Sequence, residues 1–420
     1  MLRPLGTLID ELFPPKIPFP SPGEAVKDRP AMAVTGAAGS IGRELVHRLA
    51  ASSWAGTLIA IDRDEQGLFE LERELAAAGG HGTVDGEPDT GRGQSGRRSG
   101  LRLSLTDVRD REAVAAALSP DGRPVDVLIH AAAVKQVPLL EGQPHAAVRD
   151  NVLGTLSTVE AARQAGVGRF VLVSTDKAVA PAGVLGRTKA LAEQIVLRRG
   201  ASGPGSDGDG EAGAGAGARD GGGRDRDEGR NVKKGGSDSG AAAMETAVVR
   251  LGNVAGSRGS LLHTLYGDIA AQLSGAGGGG GPVTLRLRDA RMRRYFLHPA
   301  DAAALIVHAA SGEGAPLHAY GQGKEQEQGQ KQEPANEHPH GQERAPGRPR
   351  PRSHSPGRIY LPDRSLFGLQ RVEEVVEAFL GMADFEGANV DVEQDGSEPW
   401  PGEKLEERLS WGAPYEEAVW

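Results

Sequence analysis

The chain has 420 residues, with 61 Gly, 27 Pro, no Cys and a formal net charge of −9 at pH 7. The missing cysteines exclude disulfides, Cys–metal sites and thiol catalysis, and the acidic balance argues against nucleic-acid binding. No apolar run approaches the length of a transmembrane helix, and the proline-bearing, partly acidic N-terminus does not read as a secretory signal. The glycine excess is concentrated in residues 79–100, 200–240, 275–281 and 311–357. What remains, roughly 300 residues, has ordinary globular composition and is long enough to bury a large core. The expectation is a soluble, cytoplasmic protein interrupted by surface inserts too polar to order themselves.

In chain order, residues 1–30 carry seven prolines and read as an arm or linker. Ala31–Thr35 is a short apolar strand, and 41–50 is helical with Ile41, Leu45 and Leu49 on one face. Thr57–Asp62 is a second strand, followed by a helix over 65–78 with Leu68, Leu71 and Leu75 in register. Strands follow at 101–105, 125–132, 169–175, 246–251 and 358–361, and helices at 111–118, 146–165 and 187–199. Apolar strands alternating with helices predict an α/β, doubly wound, parallel Rossmann-type sheet. The predicted organisation is a dinucleotide-binding domain over 31–252, with a smaller substrate-binding region from 253–310 and 364–420. Residues 358–363 return to the sheet.

The first strand runs into Thr35-Gly36-Ala37-Ala38-Gly39-Ser40-Ile41-Gly42, a GxxGxxG loop that opens a helix. Such a loop lets backbone approach a pyrophosphate, while the helix N-terminus supplies free N–H groups. Asp62 ends the second strand 20 residues after Gly42, where an acid suits a ribose 2′-hydroxyl. Arg63 beside it could accept a 2′-phosphate, so NAD and NADP both stay open. Asp107 and Val108 follow the third strand, as an adenine contact or as a solvated helix N-cap. Ala131 and Ala132, at the end of the fourth strand, complete the expected cofactor site.

The fifth strand ends in Ser174-Thr175-Asp176-Lys177, and doubly wound folds place their sites at such carboxyl ends. An adjacent acid and amine there can serve as general acid and base, or simply form a surface ion pair. Lys189 follows on the next helix. The histidines show no metal-ligand spacing, and no metal is expected.

TGAAGSIGREL, IDRDEQGLFELEREL, HAAAVKQVPLLE, NVLGT, VSTDKAVAP, TKALAE, VVRLGNVAGSRGS, RRYF and WPGEKLEE occur in one order. Together they resemble the extended short-chain dehydrogenase/reductase superfamily, and within it the capsular-polysaccharide-type UDP-N-acetylglucosamine 4,6-dehydratases. The resemblance implies a tightly bound, recycled NAD or NADP, a UDP-sugar substrate and a homo-oligomer. It implies that Lys177 removes the sugar C5 proton, that Asp176 protonates the departing C6 hydroxyl, and that Thr175 bonds the C4 oxygen. Lys189 would hold the nicotinamide ribose. Lys135, Asn151, Asn253, Ser257, Arg258, Ser260, Arg294, Glu403 and Lys404 are the implied substrate-side residues, with Asn151 stabilising the active-site strand and helix.

Superfamily members commonly carry a tyrosine four residues before the helix lysine; here that position is Leu185. The C4 base is therefore left among Thr175, a water and Asp176. The leucine argues against the alternative of a nucleotide-sugar epimerase. A second alternative, a non-catalytic dinucleotide-binding regulator, would use the glycine loop and ignore Asp176 and Lys177. The family's larger members have an N-terminal membrane half, and residues 5–30 resemble only the linker after it, so no membrane span is expected in this chain.

Overall fold

The computed structural model describes residues 2–20, 31–52, 56–78, 100–201, 244–274, 283–287, 289, 291–312, 358–382, 390–394, 402–409 and 417–419. The expected disorder of the glycine-rich inserts lies almost wholly outside these residues. At their margins, Gly100 begins a strand, while Gly200, Ala201 and Ser311 still belong to helices.

The first half of the chain alternates as predicted. It comprises α1 (Leu5–Leu12), β1 (Ala31–Thr35), α2 (Ser40–Ala51), β2 (Thr57–Asp62), α3 (Glu65–Ala77), β3 (Gly100–Leu105), α4 (Arg111–Ala117), β4 (Val127–His130), α5 (Val137–Gly142), α6 (Pro144–Ala147), α7 (Gly154–Ala165), β5 (Arg169–Thr175) and α8 (Val184–Ala201). Then come β6 (Glu245–Leu251), β7 (Asn253–Val254), α9 (Leu261–Leu273), β8 (Val283–Leu287), β9 (Arg293–Leu297), α10 (Pro299–Ser311), β10 (Arg358–Leu361), β11 (Leu369–Arg371), α11 (Val372–Met382), β12 (Val390–Gln394) and β13 (Glu417–Val419).

Eight strands form one sheet in the order β13-β10-β6-β5-β4-β1-β2-β3, and every neighbouring pair is parallel. Its central strands are apolar on both faces because helices cover both: Met32, Ala33 and Val34 of β1, and Phe170, Val171 and Leu172 of β5, are buried. Strand order reverses between β1 and β4. The crevice beyond the carboxyl ends at that switch is where such sheets bind ligands. Smaller sheets, β11-β9-β7 and β12-β8, lie beside it.

Four features differ from the sequence reading. The N-terminal stretch is not a free arm: Leu8 and Ile9 of α1, with Phe13, join α9 and α11 in a second apolar core. Phe13 stacks on Phe296 at 5.4 Å, and Asp301 Oδ1 accepts the backbone N–H groups of Lys16 and Ile17. Proline count concealed a short amphipathic helix whose partners lie about 250 residues and more downstream.

Second, the helix expected over 146–165 is interrupted by a π-helical turn, Val148–Leu153. The extra residue turns both Asp150 and Asn151 inward, the kind of local defect that marks functional sites. Third, α10, assigned above to the substrate region, contributes Ala302, Leu305 and Ile306 to the core beneath the large sheet. Fourth, the fourth strand is shorter than predicted, leaving Ala131 and Ala132 in the loop beyond it.

Candidate active site

Two adjoining cavities open at the carboxyl ends of the central strands. The first, about 370 Å³, is lined by Gly36, Ala38, Gly39, Asp62, Arg63, Asp107, Val108, Ala131, Ala132 and Arg258, among others. The second, about 430 Å³, is lined by residues including Ile41, Ala131, Lys135, Thr175, Lys177, Leu185, Lys189, Asn253, Ser257, Ser260, Arg294 and Glu403. Ala131 and Ala133 line both.

The glycine loop has no room for side chains. Gly36 has φ +72°, and a Cβ there would lie 2.6 Å from the Ala132 nitrogen; one on Gly42 would collide with the Gly36 carbonyl. That close packing delivers bare backbone and the N-terminus of α2 to the first cavity, which suits a pyrophosphate. Asp62 Oδ2 accepts the Ala38 N–H at 2.9 Å, holding its carboxylate beside the loop. Arg63 ion-pairs with Asp150 at 3.3 Å and Asp107 at 3.7 Å. Two-point hydrogen bonding from Arg109 drives Asp107 down to about 2. The residues present thus fit a dinucleotide.

Below the second cavity, β5 ends at Thr175 and the chain tightens into a 3₁₀ turn, Asp176–Ala178. Asp176 is fully buried. Its Oδ1 accepts from Thr175 Oγ1 at 2.9 Å and Lys177 Nζ at 3.2 Å; its Oδ2 is buried without a hydrogen-bond partner. Burial raises the Asp176 pKa against the opposing charge of Lys177. Lys177 Nζ also donates to Asn253 Oδ1 at 3.0 Å and lies 3.7 Å from Glu407 Oε1. Burial would lower its pKa, but Asp176 and Glu407 outweigh that and raise it.

Lys189 Nζ donates to the Val173 carbonyl at 2.9 Å, and burial lowers its pKa to about 8. Lys135 Nζ donates to Ser257 Oγ at 3.2 Å; burial and then the charge of Arg258 lower its pKa. Arg294, nearly buried, donates to the carbonyls of Arg293 and Leu405.

Three of the residues named on the substrate side make their hydrogen bonds within the protein. Arg258 lies against the glycine loop, its Nη2 donating to Ala38 O and its N–H to Ser40 Oγ, because the loop after β7 folds back over α2. Asn151 is a strut: it pairs with both backbone groups of Val134 and donates to Thr188 Oγ1. Lys404 donates to Val179 O and ion-pairs with Glu407, so its charge is directed beneath the cavity.

The sequence reading missed Glu407 and the buried pair of Glu193 with Arg250. A second glutamate three residues after Lys404 was the only signal for the first. An acid one helical turn beyond Lys189 was the signal for the second. Among the described residues there is no cluster of metal-ligating groups, and no helix is long and apolar enough to cross a membrane.

A sequence profile described as polysaccharide biosynthesis protein matches residues 32–204 and 229–316, more than half of the chain. The chain belongs to this family. It is 33% identical over 276 residues to an uncharacterized membrane protein of Methanocaldococcus jannaschii, covering 66% of this chain and 61% of that one. It is 26% identical over 274 residues to a UDP-N-acetylglucosamine 4,6-dehydratase (inverting) of Campylobacter jejuni, covering 65% of this chain and 61% of the relative. The chain therefore spans less than two thirds of either relative's length. In fold it is similar to a Thermus thermophilus UDP-glucose 4-epimerase in complex with NAD, with TM-score 0.53 and 18% identity over 90% of both chains. That likeness supports the Rossmann-type architecture of this family member.

Proposed function

We propose that the chain is a nucleotide-sugar 4,6-dehydratase that converts UDP-N-acetylglucosamine to a UDP-4-keto-6-deoxy-hexosamine. The observation that carries this reading is the Asp176–Lys177 pair, its lysine lining the second cavity and its acid buried behind the lysine, with apolar Leu185 facing that cavity. An epimerase that works through a tyrosinate has no group at Leu185 and no use for a buried acid–amine pair.

In the first cavity the Gly36–Gly42 backbone would hold a dinucleotide's pyrophosphate and Asp62 its ribose. Arg63 is already committed to Asp150 and Asp107, which favours NAD over NADP. When bound, the nicotinamide supplies the hydride acceptor at sugar C4 and the hydride donor at C6.

The remaining steps fall to side chains. The Lys189 charge, tunable near pH 8, favours loss of the C4 hydroxyl proton, which leaves by way of Thr175 to water. The resulting ketone acidifies C5–H. With the shared proton on Asp176, Lys177 is a free amine and takes the C5 proton, while Asp176 gives its own to the C6 hydroxyl and water departs. Lys177 then returns its proton to C5, and water reprotonates Asp176. No net redox change results. Arg294, facing the cavity, suits the UDP diphosphate, with Lys135 and Asn253 toward the sugar.

The test is incubation of the protein with NAD and UDP-N-acetylglucosamine, followed by NMR of the product. A 4-keto-6-deoxy sugar nucleotide is expected. Unchanged substrate, or only a C4 epimer, sinks the reading.

A further inference from the structure

The segment 402–409 reaches the site from the far end of the chain. It is fastened by Arg293 N–H donating to Leu405 O at 2.7 Å and by Arg250 Nη1 donating to Leu409 O at 3.2 Å. It inserts Glu407, whose side chain is 1% exposed, beneath the second cavity. Leaving a carboxylate in such a place is costly unless cations surround it. They do: Lys404 Nζ lies 2.9 Å from Oε2, Lys177 Nζ lies 3.7 Å from Oε1, and Arg294 is close enough to act on both Lys177 and Glu407.

Lys177 is therefore bracketed. Asp176 stands on one side at 3.2 Å, Glu407 on the other, and Asn253 Oδ1 takes a further bond at 3.0 Å. We infer that Glu407 is the positioning residue of the Asp176–Lys177 pair: its carboxylate fixes the lysine between two acids and is the counter-charge for the ammonium that forms when Lys177 accepts a proton. This rests on the dehydratase reading for its catalytic meaning, but not for its physical content.

The two carboxylates have opposite biases. Burial raises the Asp176 pKa, and the Glu407 charge adds to that. Burial also acts on Glu407, but Lys177, Lys404 and Arg294 together hold it below the ordinary carboxylate value. Glu407 thus stays ionised while Asp176 can carry a proton, a division that sorts paired carboxylates into different roles. The groups facing Lys177 are Asp176, Glu407 and Arg294; those facing Glu407 are Lys177, Lys404, Arg294 and Asp176.

The experiment uses the full chain and two readouts: the Lys177 ammonium titration by NMR of nitrogen-labelled lysine, and the pH dependence of kcat/KM for UDP-N-acetylglucosamine. Glu407→Gln should lower the Lys177 pKa by about 1 to 2 units, the size expected for loss of one close counter-charge. The alkaline limb of the rate profile should fall with it, while KM stays within about twofold. Glu407→Asp should restore both. If Glu407→Gln leaves the Lys177 titration where it was, or lowers activity equally at every pH, the inference is overturned. If the wild type does not turn over this sugar but the Lys177 titration still falls in Glu407→Gln, the inference stands and the dehydratase reading fails.

Discussion

Arg250 and Glu193 meet at two points in the protein interior, Nε to Oε1 at 3.0 Å and Nη2 to Oε2 at 2.8 Å. Ser174 Oγ donates to the same Glu193 Oε1 at 2.6 Å, and Arg250 also holds the Leu409 carbonyl. The pair ties α8 and β6 to the end of β5, next to the Asp176–Ala178 turn. Arg250→Met should lower stability by about 3–5 kcal/mol, because it strands a buried carboxylate. Urea denaturation checks this, and the double variant Glu193→Gln with Arg250→Met should recover part of the loss.

Gly36→Ala should weaken dinucleotide binding and destabilise the fold. The positive φ and the 2.6 Å approach to Ala132 leave the loop no way to accept a methyl without moving, and such strain is worth about 1–3 kcal/mol. Titration with NAD followed by fluorescence gives the first effect, and thermal unfolding the second. Unaltered NAD affinity in this variant would remove the glycine loop from the site.

Asp176→Asn and Lys177→Ala should each reduce turnover by about 10²- to 10⁴-fold, the usual weight of a general acid or base. Both should still bind NAD, since neither residue lines the first cavity. Parallel measurement of turnover and NAD binding separates this from unfolding.

His130 is enclosed between Thr35 Oγ1 at 2.7 Å and Thr155 Oγ1 at 3.1 Å. Burial, then the charge of Lys189, lowers its pKa from 6.5 to about 3. In the unfolded chain it takes up a proton near 6.5, which the folded protein refuses until about pH 3. Stability from this group is therefore complete above pH 6.5 and drains away as pH falls toward 3, at up to about 1.4 kcal/mol per pH unit. His130→Gln should flatten that acid-side slope in urea titrations between pH 6 and 4 (values on the order of one unit either side serve equally).

The sheet was legible because its signal is local: continuous apolar strands such as Arg169–Thr175, and helices with one apolar face such as Glu65–Ala77. The glycine loop and the Asp176–Lys177 pair were legible for the same reason, each being a short run at a strand end. What was not legible depends on distant partners. Leu8 and Ile9 gain meaning only from α9 and α11. Glu407 does so only from Lys177, Lys404 and Arg294. The π-helical turn escaped because Val148–Leu153 has ordinary helical composition; its geometry is set by what Asp150 and Asn151 bind.

The parallel sheet has two unlike rims. Both cavities sit at the carboxyl rim. Strands β3, β6 and β10 begin at the other, and in the sequence each follows one of the four glycine-rich segments. Lengthening a connection there adds only about 0.6 kcal/mol of closure entropy per doubling, and it does so on the side away from both cavities. The amino rim is therefore the natural place to splice in a reporter domain, an affinity tag or a protease site, with Thr175, Asp176 and Lys177 left at the opposite rim.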